Sequence, residues 1–451
     1  MNPENPTSRI SRRKFLQTSS RVAAGAALAR AMSTGVHAGG SDEIRLALVG
    51  CGGRGTGALG NALAVSGPPL KLHAMADLFE KRLATSHQTL TQIYGDRVDV
   101  APERRFLGFD AYRRAMDCLK PGDIVALCTH AAFRATHLEY AIQRGLNVFM
   151  EKSFAPDPAG IRHIIQLAEE AEKKNLKIAT GLMCRHSAAR QALIDQIRGG
   201  AMGDITLIRA YRMEAGSRME PWKGDGNELL SQIQHPYYFF WVSTGRFIDY
   251  LIHQIDECCW IKDAWPVSAL GLGGRMPGSA DASQNFDSYA VEYTFADGSK
   301  AQVNGRFVPK CYDDFATFVH GSKCAAQFSG NVHAPTVEIF KDQRIGRDNV
   351  VWRPEKETIG PYQAEWNSFV DAVRQDLKYN EAKRSALSNL VGIMGRAAVH
   401  TGRVITWDEM LSSDFSFCRD IAGLTEQSAA PVRADANGFY PVPVPGAWKE
   451  V

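Results

Sequence analysis

Apolar and amphipathic stretches alternate regularly between residues 44 and 184. Short apolar runs predict strands, and they lie at 44–49, 70–76, 124–128, 147–150 and 176–182. Stretches with helical periodicity lie between some of them, at 110–118, 134–144 and 158–174. Strand–helix alternation at this spacing predicts an α/β fold built on a doubly wound, parallel Rossmann sheet.

The pattern changes after about residue 184. Helical periodicity recurs at 187–198, 249–261, 365–376 and 385–401. Alternating strand patterns lie at 205–213, 267–273, 288–295, 300–307, 316–321 and 325–329. Asp297-Gly298 is a hairpin turn signal between two of these strands. We therefore predict a Rossmann domain over 41–184, an α+β domain with a large, mostly antiparallel sheet over 185–428, and an extended tail over 429–451. A sheet face left uncovered favours a homo-oligomer.

The first predicted strand runs into a glycine-rich loop. Gly50, Gly52 and Gly55 have the G-x-G-x-x-G spacing that lets a backbone turn tightly and approach a pyrophosphate at a helix N-terminus. A glycine-rich turn without a ligand has the same spacing, but the strand before the loop favours a dinucleotide site. The residues expected to bind the cofactor here are Gly50, Cys51, Gly52, Gly53, Arg54 and Gly55.

The second predicted strand ends at Asp77. An acid at this distance from the glycine loop binds the ribose diol of NAD and repels the extra phosphate of NADP. Lys81 and Arg82 follow closely and partly offset that preference. The expected cofactor is NAD rather than NADP.

An acid, a histidine and a second acid share one face of the helix predicted over 249–261. Asp249, His253 and Asp256 are spaced i, i+4 and i+7. A carboxylate beside an imidazole suits proton transfer, whereas a solvated polar stripe is the alternative. Apolar residues at 239–241 and 258–261 flank the stripe and favour burial, and buried ionisable groups are typical of functional sites.

Composition is typical of a globular enzyme. The chain has 451 residues, 45% hydrophobic and 22% charged, with a net charge of +3. It contains no basic block that indicates nucleic acid, and no apolar run after the leader is long enough to span a membrane. The nine cysteines are scattered without a C-x-x-C pair, so we expect mostly free thiols. No second histidine or thiolate stands at ligand spacing beside His253, so we expect no metal.

The first 38 residues read as a leader peptide. Residues 11–17, Ser-Arg-Arg-Lys-Phe-Leu-Gln, resemble the twin-arginine export signal, although the last position is usually lysine. An Ala-rich apolar region at 22–32 and a small-x-small site at 36–38 follow. The expectation is export in the folded state to the periplasm, with a cofactor already inside. A disordered basic leader is the alternative.

Taken together and in order, these motifs resemble the Gfo/Idh/MocA family, named for glucose–fructose oxidoreductase and inositol dehydrogenase. The resemblance covers about residues 44–413. It includes the glycine loop, a Thr-Pro turn with a downstream histidine, a Glu-Lys-Pro strand end, an Asp-x-x-x-His pair and a closing pattern. This chain matches them with Thr129 and His137, with Glu151-Lys152, with Asp249 and His253, and with residues 367–374, 394–396 and 401–408. His130 and Ser153 stand where the family has proline.

The resemblance implies a cofactor-dependent oxidoreductase with sugar or cyclitol substrates. It adds Thr129, His130, His137, Glu151 and Lys152 to the expected cofactor residues. Lys152 would hydrogen-bond the substrate hydroxyl, His253 would take its proton, and Asp249 would orient Lys152 or the substrate. An ion pair with Glu151 is the structural alternative for Lys152, and a hydrogen-bonded core position is the alternative for His253.

Five further residues are candidates for substrate contact. Two follow the last parallel strand, two are aromatic side chains suited to sugar C–H faces, and one is the second acid of the helix stripe; they are Arg185, His186, Trp222, Tyr237 and Asp256. Packing beneath a loop is an equal alternative for the aromatic pair.

Three function classes stay open at this stage. The first is an NAD(P)-dependent oxidoreductase acting on a sugar or cyclitol hydroxyl. The second is a redox-neutral NAD-dependent glycosidase that oxidises, eliminates and reduces again. The third, a sugar-binding protein that keeps only the fold, is disfavoured because Lys152 and the Asp249–His253 pair are both present.

Overall fold

Six parallel strands form the first sheet of the computed structural model, which describes residues 43–331, 333 and 336–451. The strand order is β3-β2-β1-β4-β5-β6, the order of a doubly wound dinucleotide-binding sheet. The strands are β1 Ile44–Val49, β2 Leu70–Asp77, β3 Arg105–Leu107, β4 Ile124–Leu127, β5 Asn147–Met150 and β6 Ile178–Thr180. The predicted leader, residues 1–38, lies outside the described residues.

Helices cover both faces of this sheet. Within β1, Ala47 and Val49 belong to one buried cluster, whereas Leu46 and Leu48 belong to another. Because successive side chains of a strand point to opposite faces, two apolar layers result. The helices are α1 Gly53–Leu63, α2 Glu80–Tyr94, α3 Ala111–Asp117, α4 Ala131–Gln143 and α5 Pro158–Lys173. The sequence analysis did not predict α2, a mostly exposed helix with only three buried residues.

Among the described residues, nine strands form the second sheet, in the order β14-β13-β12-β11-β7-β10-β9-β8-β15. Of these described strands, only β7 and β10 pair in parallel, so the prediction of a mostly antiparallel sheet is confirmed. The strands are β7 Ile205–Met213, β8 Ser268–Gly274, β9 Ser288–Thr294, β10 Lys300–Arg306, β11 Thr317–Gly321, β12 Ala325–Ser329, β13 Glu338–Phe340, β14 Val350–Trp352 and β15 Ile405–Thr406.

Two long helices cover one face of the second sheet. The later helices are α6 Ala188–Arg198, α7 Glu228–Gln234, α8 Gly245–Lys262, α9 Pro361–Arg374, α10 Ala382–Thr401 and α11 Trp407–Ser412. Of these, α8 and α10 pack on each other and on the sheet. Helix α9 instead returns to the first sheet, where Trp366 stacks on Phe149 of β5 at 4.3 Å between ring centroids. By their contacts residues 44–451 form one unit, so the predicted boundary at 184 stays a prediction.

The last residues contain neither helix nor strand over 429–451, yet they are anchored in the core. Glu450 is fully buried, forms an ion pair with Arg396 of α10 and lies within hydrogen-bond distance of His400 Nδ1 of the same helix. No disulfide bond joins any of the nine cysteines, all of which lie within the described residues. Within the described residues, no helix is long and apolar enough to cross a membrane.

Candidate active site

The glycine loop connects β1 to α1 and leaves open space above its second glycine. Gly50 has a φ of +97°, and a Cβ there would lie 2.6 Å from the main chain of Cys128. A Cβ on Gly55 would lie 2.0 Å from the Gly50 carbonyl, whereas one on Gly52 would meet nothing within 4 Å. Helix α1 begins without a side-chain cap or an acid in its first turn. This combination fits a pyrophosphate at the helix N-terminus.

Asp77 lies at the end of β2, directly beside this loop. Its Oδ2 accepts a hydrogen bond from the Cys51 N–H at 2.6 Å, and its Oδ1 accepts one from the Phe79 N–H at 2.8 Å. Burial raises the pKa of Asp77, against the effect of these two N–H groups. Asp77, Gly50 and Gly52 line a pocket with about 640 Å³ of empty space. Arg82 lines the same pocket, so a cation as well as the predicted acid faces the ribose position.

The predicted turn after β4 also lines this pocket. Thr129 Oγ1 and His137 Nδ1 are 3.1 Å apart, and His137 stacks on Tyr112 at 4.1 Å. Burial and the nearby arginines lower the pKa of His137 and His130 to about 3. Both rings are therefore neutral at physiological pH, and they add shape and hydrogen-bonding capacity rather than charge to the pocket.

Glu151 connects the glycine loop to the end of β5. The Nε of Arg54 donates a hydrogen bond to Oε1 of Glu151, and the guanidinium lies over the ring of Tyr362, 4.6 Å from its centroid. Glu365 of α9 is fully buried 3.9 Å from Arg54, and its two carboxyl oxygens have no hydrogen-bond partner among the described residues. Burial and the Glu151 charge raise the pKa of Glu365 well above its ordinary value. Sequence reasoning missed Glu365 and Tyr362, because nothing local links α9 to the loop.

Lys152 and Asp249 are in direct contact. Lys152 Nζ donates a hydrogen bond to the main-chain carbonyl oxygen of Asp249 at 2.6 Å. The peptide bond between Lys152 and Ser153 is cis. Burial lowers the pKa of Lys152, and Asp249 and Glu151 oppose that shift. The lysine side chain is therefore held by a main-chain carbonyl group of the helix.

Three hydroxyl groups hold the Asp249 carboxylate. Oδ1 accepts from Ser153 Oγ at 3.0 Å and from Thr244 Oγ1 at 2.8 Å, and Oδ2 accepts from Ser243 Oγ. Sequence reasoning missed these hydroxyls as functional residues. Ser243 and Thr244 immediately precede α8, where such residues usually cap a helix, but Thr244 makes no capping bond and serves Asp249 instead.

His253 lies one turn after Asp249 on the same buried face of α8. It is 6% exposed, and its Nδ1 has no hydrogen-bond partner among the described residues. Burial, together with the Lys152 charge, lowers the pKa of His253 well below its ordinary value. The imidazole is therefore neutral at physiological pH. The predicted shared face is confirmed as buried, although the Asp249 carboxylate bonds to hydroxyls rather than orienting the ring.

The glycine loop, Lys152 and Asp249 line one cleft, whereas His253 lies one helical turn further along α8 and is not part of the cleft wall. A second pocket adjoins the first and shares Gly52, Thr129 and His130 with it. Its wall also includes Arg54, Glu151, Lys152, Asp249 and Tyr237. Among the described residues, no cluster of three or more histidine, cysteine or acidic side chains could hold a metal ion.

Comparison with known proteins identifies the architecture. No family model matches the chain. A rhizopine catabolism protein MocA from Rhizobium meliloti is 22% identical over 307 residues, which are 64% of this chain and 81% of that protein. Among solved structures, scyllo-inositol dehydrogenase from Lactobacillus casei with NAD(H) and scyllo-inositol bound has a TM-score of 0.59 at 20% identity, over 81% of this chain and 99% of the other.

Two further solved structures are similar to this chain over the same extent. Each alignment covers 81% of this chain and 99% of the solved structure's chain. Myo-inositol 2-dehydrogenase from Lactobacillus plantarum has a TM-score of 0.60 at 19% identity. Aldose-aldose oxidoreductase from Caulobacter crescentus, complexed with glycerol, has a TM-score of 0.62 at 14% identity. This chain has the inositol dehydrogenase fold.

Within that fold, the five predicted substrate residues separate into three groups. Tyr237 lines the cleft. Asp256 forms a two-point ion pair with Arg185, 2.8 Å and 2.9 Å between the paired atoms, and accepts a hydrogen bond from Ser388 at 2.6 Å. Burial by itself would raise the pKa of Asp256, but Arg185 outweighs it and the pKa is lowered.

The other two predicted residues lie elsewhere. His186 Nε2 is 3.3 Å from a carboxylate oxygen of Glu381, and Trp222 lines a neighbouring pocket. The structure therefore brings Tyr237 to the cleft that contains Lys152 and Asp249, and places Arg185 and Asp256 in an internal ion pair. Direct substrate contacts of Arg185, His186 and Asp256 stay predictions.

Proposed function

We propose that this protein is an NAD-dependent oxidoreductase that acts on a hydroxyl group of a sugar, a sugar derivative or a cyclitol. The observation that carries the proposal is the contact between Lys152 and Asp249 on the wall of a cleft shared with the glycine loop. The names of the similar proteins support it, since they include inositol dehydrogenases and an aldose-aldose oxidoreductase.

Each side chain has a distinct part in the proposed reaction. NAD, which the glycine loop and Asp77 would hold, would supply the hydride acceptor for the substrate carbon. Lys152 Nζ donates a hydrogen bond to the substrate oxygen and favours its negative charge as the proton leaves. His253, whose ring is neutral, takes the hydroxyl proton. Asp249 holds Lys152 through its carbonyl group, while three hydroxyls keep the Asp249 carboxylate in place.

NAD is the proposed cofactor. Asp77 is the acid at the end of β2, and both of its oxygens keep acceptor capacity beyond the two N–H groups they already bind. A 2′-phosphate placed there would meet this carboxylate, whereas a ribose diol would donate hydrogen bonds to it. Arg82 weakens the repulsion, so the preference is for NAD without excluding NADP.

A redox-neutral, NAD-dependent glycosidase is the second candidate. It would use the same lysine and histidine for transient oxidation and would add elimination and re-reduction. The predicted export signal supports it, because free NAD is scarce outside the cytoplasm and a redox-neutral cycle needs no fresh cofactor. Periplasmic location, and a homo-oligomer formed through the second sheet, belong to the same proposal. Leu270 and Leu272 of β8 are 46% and 77% exposed on that sheet.

One experiment separates the two candidates. The purified protein is incubated with a panel of aldoses, cyclitols and glycosides, and the products are identified by mass spectrometry. Oxidised sugar with stoichiometric NADH, or with a reduced second sugar, supports the oxidoreductase. Released aglycone without net NADH supports the glycosidase. Equal product formation by Lys152→Ala would move the chemistry away from this cleft.

A further inference from the structure

A third pocket adjoins the catalytic cleft. His235 and Tyr238 line both the cleft that contains Lys152 and this neighbouring pocket. Trp222 and Met219 supply apolar surface in the neighbouring pocket. The shared wall residues place this pocket directly beside the cleft, next to Tyr238.

The segment at 217–222, which forms much of this pocket's wall, is fixed by two polar contacts, of which the one at Met219 is buried. Tyr238 Oη donates to Ser217 Oγ at 3.0 Å, and the Met219 N–H donates to Asp281 Oδ1 at 2.9 Å. Asp281 is fully buried and pairs with Arg246 at 3.1 Å. The pocket is therefore formed before any ligand enters, which reduces the entropy lost on binding.

The tail holds the position of Trp222. The Trp222 N–H donates to the Gly438 carbonyl at 2.9 Å. Gly438 has a φ of +84°, and a Cβ at this position would lie 2.4 Å from the Trp222 carbonyl oxygen. Only glycine allows this close approach, so the segment after residue 429 helps to build the pocket.

The lining suits a sugar ring better than an apolar group. Trp222 and Tyr238 present aromatic surface, and side chains of both charges surround them: Arg218, Glu220, Lys223 and Asp225. A sugar has apolar C–H faces and a rim of hydroxyls that both donate and accept. Aromatic surface ringed by mixed polar groups satisfies both properties. A free cyclitol or monosaccharide held at Lys152 would leave this surface unused.

We infer that this pocket is a subsite for a second sugar residue, and that the preferred substrate is a disaccharide or a glycoside rather than a free monosaccharide. The inference rests on the proposed function at Lys152, whether the reaction ends in oxidation or in glycosidic cleavage. Trp222 is a residue that determines specificity, and it takes no part in the chemistry.

The test compares matched sugars. Turnover of glucose is measured beside maltose and cellobiose, and turnover of galactose beside lactose and melibiose. For the hexose that reacts, its disaccharide should have about a tenfold higher kcat/KM. Trp222→Ala should remove that advantage and leave the kcat/KM of the free hexose unchanged, while Trp222→Phe should restore most of it. Thermal unfolding of each variant checks that the fold is intact.

Equal kcat/KM for the free hexose and its disaccharides in the unmodified protein would overturn the inference. So would an equal disaccharide advantage in Trp222→Ala. If no sugar of the panel reacts, the proposed function fails separately, and the subsite is judged by calorimetric titration of the NADH-loaded protein. Tighter binding of a disaccharide than of its hexose, lost in Trp222→Ala, then supports the subsite; equal binding rejects it.

Discussion

Lys152, which follows strand β5, donates a hydrogen bond to the main-chain carbonyl oxygen of Asp249 in helix α8, and the two atoms are 2.6 Å apart. This contact joins the end of a strand of the first sheet to a helix that packs on the second sheet. A lysine that bonds to a carbonyl oxygen keeps its remaining donors for a ligand, since an ammonium group has three. Loss of the side chain should therefore affect catalysis more than folding.

We expect Lys152→Ala and His253→Ala each to lower kcat by at least about a hundredfold, typical of the loss of an acid–base group. Initial rates on the best sugar of the panel measure this effect. NAD affinity, measured by fluorescence titration, should survive the His253 change. Lys383→Ala is the matched control, because Lys383 forms an exposed ion pair with Glu169 away from the cleft. Near-normal turnover in either catalytic variant would contradict the assignment.

In the pH profile of kcat/KM for oxidation, the decline on the acidic side should occur at an unusually low pH for a histidine base. His253 acts as a base only when its ring is neutral, and burial with the Lys152 charge lowers its pKa well below the ordinary 6.5. A lowered pKa keeps the ring unprotonated as pH falls, so kcat/KM for oxidation should decline only below pH 6.5. Lys152→Met should move the His253 titration, followed by NMR, to higher pH. A limb at or above pH 6.5 in the unmodified protein would refute this role.

Cofactor preference should depend on the charge of Asp77. The unmodified protein should bind NAD more tightly than NADP, and Asp77→Ala should narrow the difference. Asp77→Asn is the sharper variant, because it keeps an oxygen that can accept the Cys51 N–H but removes the charge. Fluorescence titration with both dinucleotides measures the ratio. NADP binding equal to or tighter than NAD binding by the unmodified protein would disprove the preference.

The Glu450–Arg396 pair should contribute strongly to stability. Both side chains are fully buried, so Glu450→Gln leaves Arg396 without its countercharge, and such losses cost about 3–5 kcal/mol. Urea unfolding measures the difference. Glu409→Gln is the control, since the Glu409–Arg403 pair is at the surface and is worth roughly 0–1 kcal/mol. A change as small as that of the control would rule out a structural role for the buried pair.

The stabilisation that the Glu450–Arg396 pair contributes should also depend on pH. Burial by itself would raise the pKa of Glu450, but Arg396 and His400 lower it to about 2 from an ordinary 4.5. A carboxyl group whose pKa is lower in the folded state than in the unfolded state stabilises the folded state. This stabilisation is complete at pH values above the pKa of the unfolded state. That stabilisation should disappear as pH falls from 4.5 towards 2, and Glu450→Gln should lack this part of the acid dependence.

The dinucleotide should remain bound through purification. An exported protein that depended on exchange with free NAD would stop after one turnover. We therefore expect the protein to retain its bound dinucleotide tightly. The mature protein should carry nearly one dinucleotide per chain and should turn over without added cofactor. Ultraviolet absorbance of the denatured protein and mass spectrometry of the released ligand measure the content. A protein that purifies empty and needs added NAD would point to an ordinary dehydrogenase and a misread leader.

The sequence by itself determined the local parts of this protein. Strand β1, the G-x-G-x-x-G loop and the buried face of α8 follow from side-chain periodicity and from the steric freedom of glycine, both of which act over a few residues. The Asp249–His253 spacing likewise placed both side chains on one helix face before any tertiary contact was considered. The buried strands β4, β5 and β6 of the first sheet follow from their continuous apolar runs.

Only the tertiary structure decided which distant groups meet. Lys152 and Asp249 are 97 residues apart, Arg185 and Asp256 are 71 apart, and Arg396 and Glu450 are 54 apart. Each charged residue has many possible partners in the chain, and local periodicity does not distinguish among them. The packing of α8, α10 and the tail selects one partner, because a buried charge is stable only where a countercharge or hydrogen bond is already in place.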